Sequence, residues 1–194
     1  FPARGHLRAL YRLRLPSGPM KAFAVEFYKN GKLLRNKIKN HPRYPYHLLR
    51  EEMQEFILDK LQLLIERKLI KGIGENGTEY TVIAQILDLP KEILRLIQKF
   101  DFTKKNPKLI YINTGETMIS LQDSILVTFL NLAGFDILFF VPTGYQSVEN
   151  YFAEKLMEEH QIGEYKYDMQ VPDLNNISTN STRPSWRRKL FRRG

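Results

Sequence analysis

The spacing of apolar residues changes along this chain, and the change separates regions. In residues 47–71, Leu48, Leu49, Met53, Phe56, Ile57, Leu61, Leu64 and Ile65 recur at three and four, which predicts one long amphipathic helix. Gly72 stands where such a helix can close in the left-handed conformation. Upstream, "KAFAVEFYKNGKLLRNKI" sets aromatic and β-branched residues on both sides of Asn30-Gly31, the pair preferred by a two-residue hairpin turn, so residues 21–38 read as a hairpin. "KGIGENGTEY" reads as a turn. Its Gly72, Gly74 and Gly77 match GxGxxG only in part, and a helix precedes them where a nucleotide fingerprint needs a strand.

Residues 81–100, "TVIAQILDLPKEILRLIQKF", fit two short helices joined tightly. With Ala84 as the small residue of a helix-turn-helix, Ile83, Leu87, Leu89, Leu94 and Ile97 occupy its apolar positions, and Asp88 stands where that motif usually has glycine. Lys91, Arg95 and Lys99 then lie along the outer face of the second helix, where a recognition helix carries its contacts to nucleic acid. Two helices packed on a third need the same apolar spacing, so the pattern supports the DNA reading without deciding it.

Beyond "FDFTKKNP" the texture alternates between strand and helix. "KLIYIN" (108–113) is a short β-branched and aromatic run; Ser120 and Asp123 form a capping box before the helix of Leu121, Ile125, Leu126, Phe129 and Leu132; Gly134 closes that helix; "FDILFFVP" is a second strand. Strand, helix and strand at this spacing predict a right-handed βαβ unit with parallel strands. Thr143 and Gln146 read as the cap of a further helix whose Tyr145, Val148, Tyr151, Phe152 and Leu156 face the sheet. "EYKYDMQV" (164–171), with Tyr165, Tyr167, Met169 and Val171 on one face, reads as an edge strand.

Both strands of the unit run into a Thr-Gly corner: Asn113, Thr114, Gly115 and Glu116 after the first, then Thr143, Gly144 and Tyr145 after the second, with Glu149 close behind. In open parallel sheets ligands gather at that edge, and helix N-termini there favour anions. These eight residues are the candidate ligand site. The threonine hydroxyls and backbone suit a phosphate or a cluster of sugar hydroxyls, Glu116 and Glu149 suit ribose hydroxyls or a general base, and Tyr145 suits stacking. Capping and turn chemistry place Thr and Gly at helix starts in any case. No catalytic constellation stands out: His6, His41, His47 and His160 lack metal-ligand spacing, and no serine sits in a nucleophile elbow.

The chain of 194 residues is 43% hydrophobic and has no cysteine. It can bury a core, and it lacks a disulfide framework, a thiolate metal site and a cysteine nucleophile. A cytoplasmic setting is expected, since no apolar run reaches the ~18 residues of a membrane span and the first residues lack the core of a signal peptide. The opening on Phe1 predicts a piece of a longer polypeptide. Thirty Lys and Arg against twenty-one Asp and Glu give a net +9, concentrated at the ends: from Arg4 to Arg43 the sole acid is Glu26, and "RPSWRRKLFRRG" closes the chain. Basic ends attract polyanions, whether nucleic acid, phosphorylated metabolites or an anionic membrane face. A solvated basic surface needs no partner at all.

Four segments result: a basic N-terminal one (1–46), a helical region (47–104), an α/β module (105–174) and a basic tail (175–194). The expected fold class is α/β, a Rossmann-like βαβ half-module with parallel strands preceded by a helical layer.

The stretch from "FDFTKKNPKLIYINTGETMISLQDSILVTFLNLAGFDILFFVPTGYQSVENYF" to "HQIGEYKYDMQVP" resembles the YceG family of bacilli, over residues 51–171 and most specifically 100–171. That family is described as a component of a biosynthetic module and is associated with tellurite-resistance and general stress operons. It is distinct from the lytic transglycosylase that shares its name. The resemblance implies a stress-linked pathway that makes or handles a nucleotide-like or sugar-like metabolite, with other proteins of that pathway as partners. It carries over no catalytic residue and names no cofactor. Two function classes stay open: a module binding a phosphorylated or sugar-like small molecule, and a nucleic-acid-binding or scaffolding module using the helix pair and the basic ends.

Overall fold

The computed structural model of the chain describes residues 8–9 (backbone only), 22–99, 106–114, 119–145 and 148–169. Three parallel strands form the main sheet: β1 (Arg8–Ala9) pairs with β4 (Lys108–Ile112), and β4 pairs with β5 (Asp136–Phe140). Among the described residues between β1 and β4 lie a 3-10 turn (Ala24–Phe27), a small hairpin, β2 (Tyr28–Lys29) with β3 (Lys32–Leu33), and four α-helices: α1 (Arg35–Lys39), α2 (Glu51–Glu66), α3 (Thr78–Ile86) and α4 (Lys91–Gln98). The helix α5 (Leu121–Leu132) links β4 to β5. The fold is therefore a mixed helix and strand one with a small parallel sheet.

Local chemistry explains most of these elements. The hairpin turns at Asn30 and Gly31, whose φ angles of 52° and 79° put both central residues in the left-handed region, as a type I′ turn requires. At the start of α5 the Ser120 hydroxyl accepts from the Asp123 amide at 3.1 Å, while the Asp123 carboxylate accepts from the Ser120 amide, completing the capping box. The same helix ends in a Schellman arrangement: Gly134 is left-handed, its amide donates to Asn131, and the Phe135 amide reaches back to Leu130 at 3.0 Å.

The core runs without a break from Ala24 to Phe152. α5 lies at its centre, with every residue from Asp123 to Leu130 buried, because it contacts β5, α2 and α3 at once. Polar groups on it are satisfied within the helix: Ser124 and Thr128 donate their hydroxyls to the carbonyls of Ser120 and Ser124. Tyr46 ties the helical layer together, its hydroxyl donating to the Ile86 carbonyl and accepting from the Leu89 amide across the turn between α3 and α4. On the surface, Arg35 and Lys39 of α1 pair with Glu51, Glu55 and Asp59 of α2. The sheet is covered on one face, by Leu109, Tyr111, Ile137 and Phe139; Leu138 and Phe140, on the other, are 56% and 45% exposed.

The structure corrects four expectations. The hairpin is confined to residues 28–33 rather than 21–38, because Ala24–Phe27 coil into a 3-10 turn before it and Arg35–Lys39 into α1 after it. α2 spans Glu51–Glu66, not 47–71, and Leu48 is 87% exposed rather than part of an apolar stripe. The helix stops early because Lys68 takes the left-handed position (φ 49°), with Lys68 donating to Ile65 and Leu69 to Leu64; Gly72 (φ 85°) serves the following turn. Among the described residues no α-helix follows Thr143. Residues Val148–Tyr151 form one 3-10 turn and Leu156 is exposed, because the backbone at 151–153 is committed to the segment after α2: Lys71 donates to Tyr151, Ala153 to Leu69, and Phe152 bridges to Ile70. Residues 164–169 are exposed and form no strand, the Lys166 amide donating to the Pro142 carbonyl just beyond the end of β5. Val171 and the basic tail lie outside the described residues.

Candidate functional site

Parallel pairing sets the geometry of the candidate site. The register Lys108↔Asp136 to Ile112↔Phe140 brings both strands to the same edge together, so Asn113 and Thr114 leave the sheet beside Val141 and Pro142. The Asn113 amide extends the ladder to the Phe140 carbonyl at 3.0 Å. At the opposite edge Lys108 holds Asp136 at 2.7 Å, with Asn106 a second donor, and these bonds hold the Asp136 carboxyl below the usual range. The N-terminal edge carries an exposed ion pair and the C-terminal edge carries the corners.

Within the second corner Thr143 is buried and its hydroxyl accepts from the Tyr145 amide at 3.4 Å, while Gly144 (φ 67°) donates to Val141 at 3.1 Å. Thr143 thus shapes the turn, with Tyr145 (49% exposed) beside it; Glu149 is exposed in the 3-10 turn Val148–Tyr151, and no contact joins it to the corner among the described residues. Thr114 is half-buried; Gly115 and Glu116 lie outside the described residues. The expected pair of helix N-termini reduces to that of α5, and there the Asp123 amide is taken by Ser120. The half-buried Thr114 and the exposed Tyr145, rather than a pair of helix dipoles, are what this edge offers.

A residue outside the expected set sits here too. A Cβ added to Gly144 would fall within 3.0 Å of the Cε1, Cδ1 and Cζ atoms of Tyr165, so the tyrosine ring lies directly on the glycine backbone. The Lys166 amide, next in sequence, donates to the Pro142 carbonyl at 2.8 Å and anchors that segment. The sequence signal for Tyr165 was the glycine itself, which marks a place where something approaches the backbone closely.

The alternative nucleic-acid set is elsewhere. Lys91, Arg95 and Lys99 are all exposed on or just after α4, opposite the buried Ile93 and Ile97, and make no ion pair among the described residues. The turn before α4 departs from the helix-turn-helix pattern, since Asp88 is not left-handed. Burial raises its carboxyl above the ordinary value. Among the described residues, no helix is long and apolar enough to cross a membrane and no group of His, Asp and Glu could hold a metal ion.

Comparison with known proteins settles the ancestry. The YceG domain family matches residues 17–182. The chain belongs to that family. An uncharacterised YceG protein of Bacillus subtilis (strain 168) is 31% identical over 152 residues, which cover 75% of this chain and 28% of that protein. The chain thus spans under a third of the length of the curated YceG protein it matches. No solved structure matches.

Proposed function

We propose that this YceG domain binds a phosphorylated or sugar-like small molecule at the C-terminal edge of its sheet, as a Rossmann-like half-module within a larger YceG protein. The pathway would be the stress- and tellurite-linked biosynthetic one that the family resemblance implies, with its other proteins as partners. One observation carries the reading: β4 and β5 are adjacent and parallel, so Thr114 and the Thr143-Gly144-Tyr145 corner leave one edge of one sheet. Ligands of open parallel sheets bind outside the carboxyl ends of the strands. The candidate residues remain Asn113, Thr114, Gly115, Glu116, Thr143, Gly144, Tyr145 and Glu149, with hydroxyl donors favouring a sugar or nucleotide over bare phosphate. Calorimetric titration with UDP-glucose, UDP and inorganic phosphate tests this. Saturable binding of UDP-glucose, weakened in Thr114→Val, is the expected result; no heat with any of the three refutes it.

A second reading rests on Lys91, Arg95 and Lys99, on or just after α4, which make no ion pair among the described residues. A basic helix face free of internal ion pairs is available to a nucleic-acid backbone. Replacing Lys91, Arg95 and Lys99 together with glutamine should abolish low-salt retention of duplex DNA without lowering the melting temperature. Equal retention by the variant removes this reading.

A further inference from the structure

We infer that Tyr165 is the stacking platform of the candidate site, receiving the planar base of a nucleotide, an inference that rests on the small-molecule reading above. Three observations converge on it. The ring is seated on Gly144, the corner residue of the second strand, at a distance that excludes any side chain there. Only glycine suits the position twice over, since its φ of 67° is also left-handed. Yet Tyr165 is 54% exposed: one side of the ring is covered by the glycine backbone while much of the residue faces solvent. Its backbone is held as well, because the Lys166 amide bonds to Pro142 of the same corner.

An aromatic ring backed by main chain and open on its outer side is what a base needs for stacking, and every base has a π-face to offer. The platform lies at the edge where the half-buried Thr114 leaves the sheet, so a nucleotide stacked on Tyr165 could present its sugar or phosphates to the Thr114 hydroxyl. Tyr145, half exposed one residue past the glycine, lies within the same corner. A purely structural plug would be a buried residue, and Tyr165 is not.

Titration of the 194-residue chain and its Tyr165→Ala and Tyr165→Phe variants with UDP and with inorganic phosphate tests the assignment, with melting temperatures measured in parallel. UDP affinity should fall roughly five- to hundredfold in Tyr165→Ala, the range expected for one lost base–aromatic stack, and stay within about twofold in Tyr165→Phe, which keeps the ring. Phosphate affinity and melting temperature should not change. If the parent binds UDP and Tyr165→Ala binds it equally well, the platform is wrong while the site stands. Equal losses for UDP and phosphate, or a melting temperature several degrees lower, would make Tyr165 a structural prop and overturn the assignment. If the parent binds neither probe, the small-molecule reading falls and takes the platform with it.

Discussion

The helical layer and the segment after Phe152 use apolar residues in opposite ways. In the layer, Ile57, Leu58, Leu61, Leu64, Val82, Ile83 and Phe129 are all fully buried, and even a phenol, Tyr46, is enclosed with both hydrogen-bonding roles filled. From Ala153 to Met169 every residue but Met157 is exposed, including Leu156, Ile162, Tyr165, Tyr167 and Met169. Stability resides in the first region, where each apolar group has neighbours on all sides. The second holds its shape by a few backbone bonds and leaves its aromatic rings available, which is the condition for a surface that recognises something.

Core truncation should break that contrast most sharply. Phe129 is fully buried at the centre of α5, and Phe129→Ala should lower stability by about 3–5 kcal/mol, measured by urea denaturation. Alkali should attack the same region next. Burial pushes the Tyr44 phenol up to about 12 and that of Tyr46 higher still. An unfolded phenol ionises near 10, so these groups contribute stability that is complete below about pH 10 and is lost as pH rises through the folded values. Each pH unit there removes about 1.4 kcal/mol per shielded phenol. Melting temperatures across pH 9 to 12 check this, and a flat profile would show both phenols open to solvent.

Smaller effects sharpen the picture. Tyr46→Phe leaves the Ile86 carbonyl and the Leu89 amide without their shared partner and should cost about 2 kcal/mol, given about 1–3 for a buried group left unsatisfied. Ser120→Ala removes the cap of α5 at a cost of about 1 kcal/mol. At the other extreme, Ile162→Ser and Tyr167→Ser should each lie within about 0.5 kcal/mol of the parent. A loss of several kcal/mol from either would mean that the exposed segment contributes to the core.

Much of the sheet and its helix was legible because local chemistry decides it. Asn30-Gly31 selects its own turn, Ser120 and Asp123 cap α5 between themselves, and the apolar runs flanking α5 lead to a parallel pair. The elements after β5 depend on residues distant in sequence. Nothing near Thr143 announces that Tyr151, Phe152 and Ala153 will spend their backbone groups on Leu69, Ile70 and Lys71, and that commitment is what prevents a helix there. Likewise "EYKYD" alternates as a strand does, but Tyr165 is drawn onto Gly144, 21 positions earlier. The end of α2 failed for a local reason, since a lysine took the left-handed position for which glycine is the usual candidate. The corners themselves were readable as chemistry, and their shared edge followed once the strands were parallel; Tyr165 required the folded chain.

Ligand binding at the C-terminal edge of the sheet is put to the test by amide chemical-shift mapping of the isotope-labelled chain during titration with UDP-glucose. The predicted result is a saturable set of shifts concentrated at Asn113, Thr114, Thr143, Gly144, Tyr145, Tyr165 and Lys166, with the amides of α2 and α3 unmoved. Shifts confined to Lys91, Arg95 and Lys99, or no saturable shift anywhere, would contradict it.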